Sequence, residues 1–354
     1  MSRIYSSLKF LSFSEQIDAL MEQRMAPPVH IRIKPTNHCN HHCWYCAYRY
    51  DDLLLGSDMD ERDRLPEAKM HELADDIVDM GVRAVTFSGG GEPLLYKPLP
   101  EIVEKLAKGG VRVATLTNGS NLQGRMAEAF AEHGTWIRVS LDAWDDESYS
   151  QSRGARPGDF DRLIRNMRAF VATGTDCVLG VSFIVGEDNH RHVFEVCSLM
   201  KDVGVDHVKI SGSIVGNDPN ENNRYHRGLK ETVADEIERA RGLEDASFHV
   251  VNHYHDLEDR FDKPCTLCPY LMFLTVVGAD GVVYTCQDKA YTKTGVLGSI
   301  RDRSFKDFWF SEENRRRIFS FNPAENCRHH CISHAKNLSV LEFMNLDPDH
   351  KVFV

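Results

Sequence analysis

Three cysteines near the start of the chain, Cys39, Cys43 and Cys46, follow the spacing C-x3-C-x2-C. Thiolates on one short loop are suited to bind three irons of a four-iron cluster, and such clusters usually take four cysteines. A triplet therefore leaves one iron open for chemistry. The alternatives are a zinc site or coincidence, because zinc also binds cysteine and histidine, and three histidines accompany the triplet: His38, His41 and His42.

A second group of cysteines lies in the last third of the chain: Cys265, Cys268, Cys286, Cys327 and Cys331. The dipeptide Asp280-Gly281 lies between two alternating apolar runs, which predicts a β-hairpin. This hairpin would bring Cys286 near Cys268. The segment therefore predicts a second metal or cluster site, with structural zinc as the alternative.

The composition excludes several classes of protein. A formal net charge of −11 argues against a nucleic-acid or anionic-membrane partner. No apolar run approaches the roughly 20 residues of a transmembrane helix, and no secretory signal is visible. Ten cysteines without an export signal indicate metal or redox ligands and predict a cytoplasmic protein. Two of them, Cys177 and Cys197, are interpreted as ordinary buried residues.

Apolar strands and amphipathic helices alternate through the first two thirds of the chain. Short segments rich in Val, Ile and Phe predict buried strands at 29–34, 84–87, 111–117, 136–141, 177–185 and 207–211. Apolar residues at three- and four-residue steps predict helices between them, at 67–80, 99–108, 122–133, 159–172 and 190–203. Six βα units predict an α/β fold, a partial (β/α)6 TIM-like barrel two units short of closure.

Three regions are expected along the chain. Residues 1–28 form an N-terminal extension with a helix near 14–23, and residues 29–228 form the barrel. The barrel region ends in a polar segment, 212–228, which predicts a long lid or binding loop. Residues 229–354 comprise a linker helix and a small α+β domain, with a further helix over 305–318.

Polar residues and glycines follow the predicted strands at the edge where βα folds bind ligands. Gly90, Gly91 and Glu92 follow the second strand, and glycines let the backbone approach a ligand closely. The other members of this set are Asn118, Ser140, Asp142 and Arg153. Taken singly, Asp142 would be read as a helix cap and Arg153 as a surface ion pair.

The cysteine triplet directly after the first strand, with Tyr45 before its third cysteine, resembles the radical S-adenosylmethionine (radical SAM) superfamily. The resemblance implies a 4Fe–4S cluster on Cys39, Cys43 and Cys46, with S-adenosylmethionine as cofactor. It also implies that Gly90, Gly91 and Glu92 meet the amino group of the methionine moiety. The ribose and carboxylate contacts it implies are Asn118, Ser140, Asp142 and Arg153, with Tyr45 beside the cluster.

The C-terminal cysteines resemble the auxiliary-cluster domains called SPASM or, in shortened form, twitch. The shared features are a Cys-Pro-aromatic run, an Asp-Gly hairpin ending in cysteine, and a final cysteine pair. The full SPASM domain carries seven cysteines and two clusters. With five cysteines, this chain is expected to bind one auxiliary 4Fe–4S cluster through Cys268, Cys286, Cys327 and Cys331, with Cys265 as the alternative ligand.

The resemblance implies reductive cleavage of S-adenosylmethionine to a 5′-deoxyadenosyl radical, which abstracts hydrogen from a substrate. An external donor such as a flavodoxin or ferredoxin supplies the electron, and the auxiliary cluster accepts one from the substrate. The polar segment 212–228 favours a small polar substrate of carbohydrate or aminocyclitol type, with His253 and His255 as candidate bases. The alternative is a peptide-modifying maturase.

Overall fold

The computed structural model describes residues 6–49, 53, 55–254, 261–350 and 353. Its strands are β1 (His30–Ile33), β2 (Ala84–Phe87), β3 (Arg112–Thr117), β4 (Gly134–Ser140), β5 (Val178–Val185), β6 (His207–Gly212), β7 (His249–His253), β8 (Leu274–Val277), β9 (Val282–Tyr284) and β10 (Val296–Ser299). Its helices are α1 (Ser14–Met21), α2 (Glu67–Asp79), α3 (Leu99–Lys108), α4 (Gly124–His133), α5 (Asp146–Arg153), α6 (Asp159–Val171), α7 (Val193–Val203), α8 (Pro219–Arg227), α9 (Lys230–Arg241), α10 (Phe305–Trp309), α11 (Glu312–Ser320), α12 (Pro323–Asn326) and α13 (His334–Met344).

The strands form one sheet in the order β10-β9-β8-β1-β2-β3-β4-β5-β6-β7. Neighbours from β8 through β7 are parallel, and helices cross between the strands from β1 to β7. The antiparallel strands β9 and β10 lie at one edge. The fold is α/β, a partial TIM-like barrel with a C-terminal domain, as the sequence predicts.

Alternation along the strands separates an apolar face from a polar one. Ile31 and Ile33 of β1 are fully buried and belong to the same core cluster as Leu73 of α2. Because side chains alternate in a strand, the intervening Arg32 and the following Lys34 point to the other face, away from the helices. The main core therefore lies between sheet and helices, and polar groups line the concave face.

The segment 212–228 is not one long loop, and that prediction is wrong in its second half. Helix α8 occupies Pro219–Arg227, with Asp218 accepting from the Asn220 backbone N–H at 2.8 Å and proline in the first turn. The fully buried Asn222 folds the preceding chain onto the helix by donating to the Gly216 carbonyl at 2.9 Å. The segment is compact.

Several elements were not predicted, among them β7, α5, β10 and α13, and one expected helix is divided. Strand β7 extends the sheet beyond β6, and the polar helix α5 follows β4. The helix expected over 305–318 is split into α10 and α11, because Ser311 caps a new helix by accepting from the Asn314 backbone N–H at 3.3 Å. No helix among the described residues is long and apolar enough to cross a membrane.

The expected domain boundary at residue 228 remains a prediction. The sheet itself continues past this residue. Strand β7 joins β6 in parallel, and β8 joins β1 in the register His30 to Leu274. The hairpin β8–β9 has Asp280 and Gly281 in its turn, as the sequence predicts. The two cysteine-rich segments are therefore connected through adjacent strands.

Candidate functional site

The cysteine triplet lies on the loop after β1. Cys39, Cys43 and Cys46 are half-buried free thiols. Burial raises the pKa of Cys39 to about 11 and also raises the pKa of Cys46. A metal must displace these protons, because thiolates are the ligands. Three free thiols on one loop are a donor set that fits a cluster with one open iron.

The glycine motif packs directly on the triplet loop. A Cβ added at Gly91 would lie 2.0 Å from the His38 carbonyl oxygen, and one at Gly90 would lie 2.1 Å from Asn37 Oδ1. The backbone N–H of Glu92 donates to the same His38 carbonyl at 2.9 Å. Gly91 is therefore required for the close approach of the two backbones, and Gly90 leaves room for the fully buried Asn37 side chain.

Glu92 has a structural role that the sequence did not reveal. Its carboxylate, 2% exposed, accepts from the Leu94 N–H at 2.9 Å, the Thr117 hydroxyl at 2.6 Å and the Asn118 N–H at 2.7 Å. Asn118 in turn donates to Asn40 Oδ1 at 2.9 Å. Glu92 and Asn118 therefore join the ends of β2 and β3 to the triplet loop. Cofactor contact by either residue remains a prediction.

A buried ion pair links the end of β4 to the triplet. Arg153 and Asp142, 4% and 3% exposed, are joined by a 2.7 Å contact between Nη2 and Oδ2. The Tyr45 hydroxyl donates to the same carboxylate oxygen at 2.5 Å, and the Ile184 N–H donates to Oδ1 at 2.6 Å. Arg153 Nη1 also lies 3.5 Å from Cys43 Sγ. The structure thus brings together three residues that the sequence singled out separately.

A cavity of about 100 Å³ opens beside this ion pair. Its wall contains two tryptophans, Trp44 and Trp144, together with Tyr45 and Asp142. Ser140, half-buried, ends β4 two residues before Asp142. Apolar rings with a few polar groups are typical of small-molecule sites. The cavity is therefore suited to part of the cofactor or substrate.

All five C-terminal cysteines line a second cavity of about 30 Å³: Cys265, Cys268, Cys286, Cys327 and Cys331. Each is a free thiol. Burial raises the pKa of Cys327 to about 11 and that of Cys331 to about 12. Cys268 Sγ lies 3.4 Å from Asn337 Oδ1. A sulfur-rich cavity enclosed in this way fits an iron–sulfur cluster. The choice of Cys268, Cys286, Cys327 and Cys331 as ligands, with Cys265 as the alternative, remains a prediction.

The candidate bases are only partly described. His253 is half-buried at the end of β7 and pairs in register with Ser211 of β6. His255 lies outside the described residues. A catalytic role for either histidine remains a prediction.

A buried lysine connects the two cysteine segments, and the sequence analysis missed it. Lys34, fully buried, donates to the Tyr48 hydroxyl at 2.7 Å and to the Gly89 carbonyl at 2.5 Å. Tyr48 donates to the carbonyl of Gln287, the residue after Cys286, at 3.3 Å. The available signal was a lysine that directly follows an apolar strand and lies five residues before the triplet.

Comparison with known families assigns both cysteine segments. Residues 33–199 match the model of the radical SAM superfamily, and residues 265–332 match SPASM, an iron–sulfur cluster-binding domain. A probable GTP 3′,8-cyclase of Metallosphaera sedula is 26% identical over 184 residues, covering 51% of this chain and 54% of that protein. The Fe-coproporphyrin III synthase of Methanosarcina barkeri is 29% identical over 168 residues, covering 47% and 39%. The chain thus spans about half or less of these relatives.

Solved structures agree in fold. SuiB of Streptococcus suis, bound to S-adenosylmethionine, superposes with a TM-score of 0.63 and 16% identity, covering 90% of this chain and 75% of that one. The enzyme anSMEcpe with bound AdoMet gives a TM-score of 0.59 at 16% identity, covering 90% and 96%. The chain therefore belongs to the radical SAM superfamily, which uses a 4Fe–4S cluster and S-adenosylmethionine, and carries a C-terminal SPASM-type iron–sulfur domain.

Proposed function

We propose that this protein is an oxidoreductase that removes two electrons from a polar small molecule of carbohydrate or aminocyclitol type. The observation that carries the proposal is the cavity lined by five cysteines. This cavity lies beside β8, which pairs with β1, and the cysteine triplet follows β1 directly. In this proposal a cluster in the cavity accepts one electron from the substrate. The other electron leaves with the abstracted hydrogen atom.

Residues at the ends of the strands would hold the cofactors. Bound S-adenosylmethionine supplies hydrogen-atom abstraction chemistry. Arg153 and Tyr45 both contact the Asp142 carboxylate and fix its position. A polar group of the cofactor would therefore bind to an ion pair whose orientation is already set. The other proposed contacts are Ser140, Asn118, Glu92 and the backbone of Gly90 and Gly91. The proposed cluster ligands are Cys39, Cys43 and Cys46 at one site, and Cys268, Cys286, Cys327 and Cys331 at the other, with Cys265 as the alternative.

Proton transfer completes the proposed oxidation. When the hydrogen-bearing carbon also carries a hydroxyl group, loss of one hydrogen atom and one electron leaves a proton to be removed. His253 is the candidate base among the described residues. We also propose a cytoplasmic setting with a flavodoxin or ferredoxin as electron donor.

Isotope labelling tests the reaction type. A substrate deuterated at the hydroxyl- or amino-bearing carbon should pass its label into 5′-deoxyadenosine, with S-adenosylmethionine consumed one for one with product. This stoichiometry follows because the electron leaves through the auxiliary cluster and does not regenerate the cofactor. Label returning to product with catalytic use of S-adenosylmethionine would show a redox-neutral rearrangement instead.

A peptide substrate is the second candidate. SuiB, which shares the fold, has been crystallised bound to its precursor peptide SuiA, with a TM-score of 0.63 at 15% identity. The small-molecule proposal is supported by curated relatives named for GTP and coproporphyrin chemistry. Turnover of a peptide encoded beside this gene, with no small metabolite accepted, would reject the small-molecule proposal and leave the radical chemistry standing.

A further inference from the structure

Two buried lysines lie at the auxiliary cavity. Lys263 and Lys289 are 6% and 7% exposed. Lys263 lines the cavity itself, and its ammonium donates to the Phe261 carbonyl at 2.6 Å and to the His329 carbonyl at 3.1 Å. Lysine is rarely buried to this extent, because removing an ammonium from water is costly. The two positions therefore call for a function.

Both ammonium groups bind the loop that carries the last cysteine pair. Lys263 binds the carbonyl of His329, which lies between Cys327 and Cys331. Lys289 donates to the carbonyl of Asn326 at 2.9 Å, directly before Cys327, and to the Thr294 hydroxyl. The two lysines thus fix this loop at two points and bring two positive charges to the sulfur cavity.

An iron–sulfur cluster in this cavity would be an anion beside two buried ammonium groups. The ammonium groups bind the chain on either side of Cys327, at the carbonyls of Asn326 and His329. Asp288 is an acid buried beside Cys286, and it accepts from the Ile332 N–H at 3.1 Å. A cluster held by four thiolates is an anion, and exclusion of water strengthens its attraction to the two ammonium groups.

We propose that Lys263 and Lys289 raise the reduction potential of the auxiliary cluster and thereby make it an electron acceptor. Reduction adds one electron and no atoms, and it takes a thiolate-bound cluster from a dianion to a trianion. Nearby positive charge stabilises the more negative state, and its effect is strong where water is excluded. The role as acceptor rests on the proposed function, whereas the potential is a property of the cluster alone.

Redox titration of the reconstituted protein, followed by electron paramagnetic resonance, tests this inference without substrate. Lys263→Met and Lys289→Met keep side-chain length and remove charge, so each should shift the auxiliary midpoint to a more negative potential, and the double variant should shift it further. Lys289→Arg keeps the charge and should stay near wild type. Lys293→Met is the matched control, because Lys293 lies four residues after Lys289 in the chain and is exposed to solvent.

The midpoint of the cluster on the cysteine triplet is an internal control and should not move. Methionine variants with full iron content and a wild-type auxiliary midpoint would overturn the inference. If Lys289→Met takes up no auxiliary cluster, retention of the cluster by Lys289→Arg supports charge compensation, and loss in both overturns it. A peptide substrate would refute the proposed function and leave these midpoint shifts unchanged.

Discussion

Replacement of Gly91 by alanine should disable the triplet site while leaving the fold intact. The new Cβ would lie 2.0 Å from the His38 carbonyl oxygen and 2.5 Å from the Asn37 carbonyl carbon. Both neighbours are backbone atoms, so no side-chain rotation relieves the overlap. The triplet loop must move away from the glycine motif.

The expected loss follows from the contacts that hold the two loops together. Gly91 N–H donates to the Thr36 carbonyl at 3.1 Å, and Glu92 N–H donates to the His38 carbonyl at 2.9 Å. Two lost hydrogen bonds and one overpacked position together cost about 2 to 6 kcal/mol. Even the lower figure weakens cluster binding roughly thirtyfold if the loop bears the whole cost.

Iron analysis after anaerobic reconstitution measures this effect. Gly91→Ala should retain about four irons of the roughly eight expected for two full clusters, and it should not cleave S-adenosylmethionine. Gly228→Ala is the control, since nothing lies within 4 Å of a Cβ added there. Wild-type iron content and cleavage in Gly91→Ala would refute the argument.

Three further predictions concern the clusters and the buried charges. Joint replacement of Cys39, Cys43 and Cys46 by alanine should abolish S-adenosylmethionine cleavage, whereas replacement of the auxiliary cysteines should leave cleavage that is not coupled to substrate oxidation. Chromatography of 5′-deoxyadenosine and of the oxidised substrate measures the two reactions separately. Asp142→Asn leaves the buried Arg153 guanidinium, 4% exposed, without its carboxylate, so the free energy of unfolding of the metal-free protein in urea should fall by about 3–5 kcal/mol. A fall of less than about 1 kcal/mol would contradict the buried ion pair. Burial and, to a lesser extent, the positive charge of Arg32 lower the pKa of Lys34 to about 7. Because a lysine in the unfolded chain titrates at about 10.4, the free energy of unfolding of the wild type should rise between about pH 7 and about pH 10 relative to that of Lys34→Met. Parallel pH profiles of stability for the two proteins would argue against a lowered pKa.

The sequence predicted elements whose apolar pattern matches their packing. Strand β2 and helix α3 begin and end where expected, because alternating or three-to-four spacing marks a face buried against a neighbour. Helix α5 has no such apolar stripe and depends on a capping box at Asp145. Strand β7 is specified by pairing with β6, a contact between distant parts of the chain.

The same distinction applies to the site. Local spacing predicted the triplet and the glycine motif. The partner of Arg153 is 11 residues away and Tyr45 is 97 residues from Asp142, so their meeting depends on the arrangement of strands. Lys263 and Lys289 were missed because an isolated lysine gives no sequence signal of burial. The signal for Lys34 was its position directly after an apolar strand, which by itself does not show burial.

The pairing of β8 with β1 limits how the two cysteine segments can be exchanged between proteins. A fragment ending before β8 would leave one side of β1 with unpaired N–H and C=O groups, an edge that invites association with other chains. That edge would lie directly before the cysteine triplet. Recombination near residue 228 would therefore transfer an incomplete sheet. A C-terminal cysteine segment from another protein would complete the sheet only if its β8–β9 hairpin pairs with this β1.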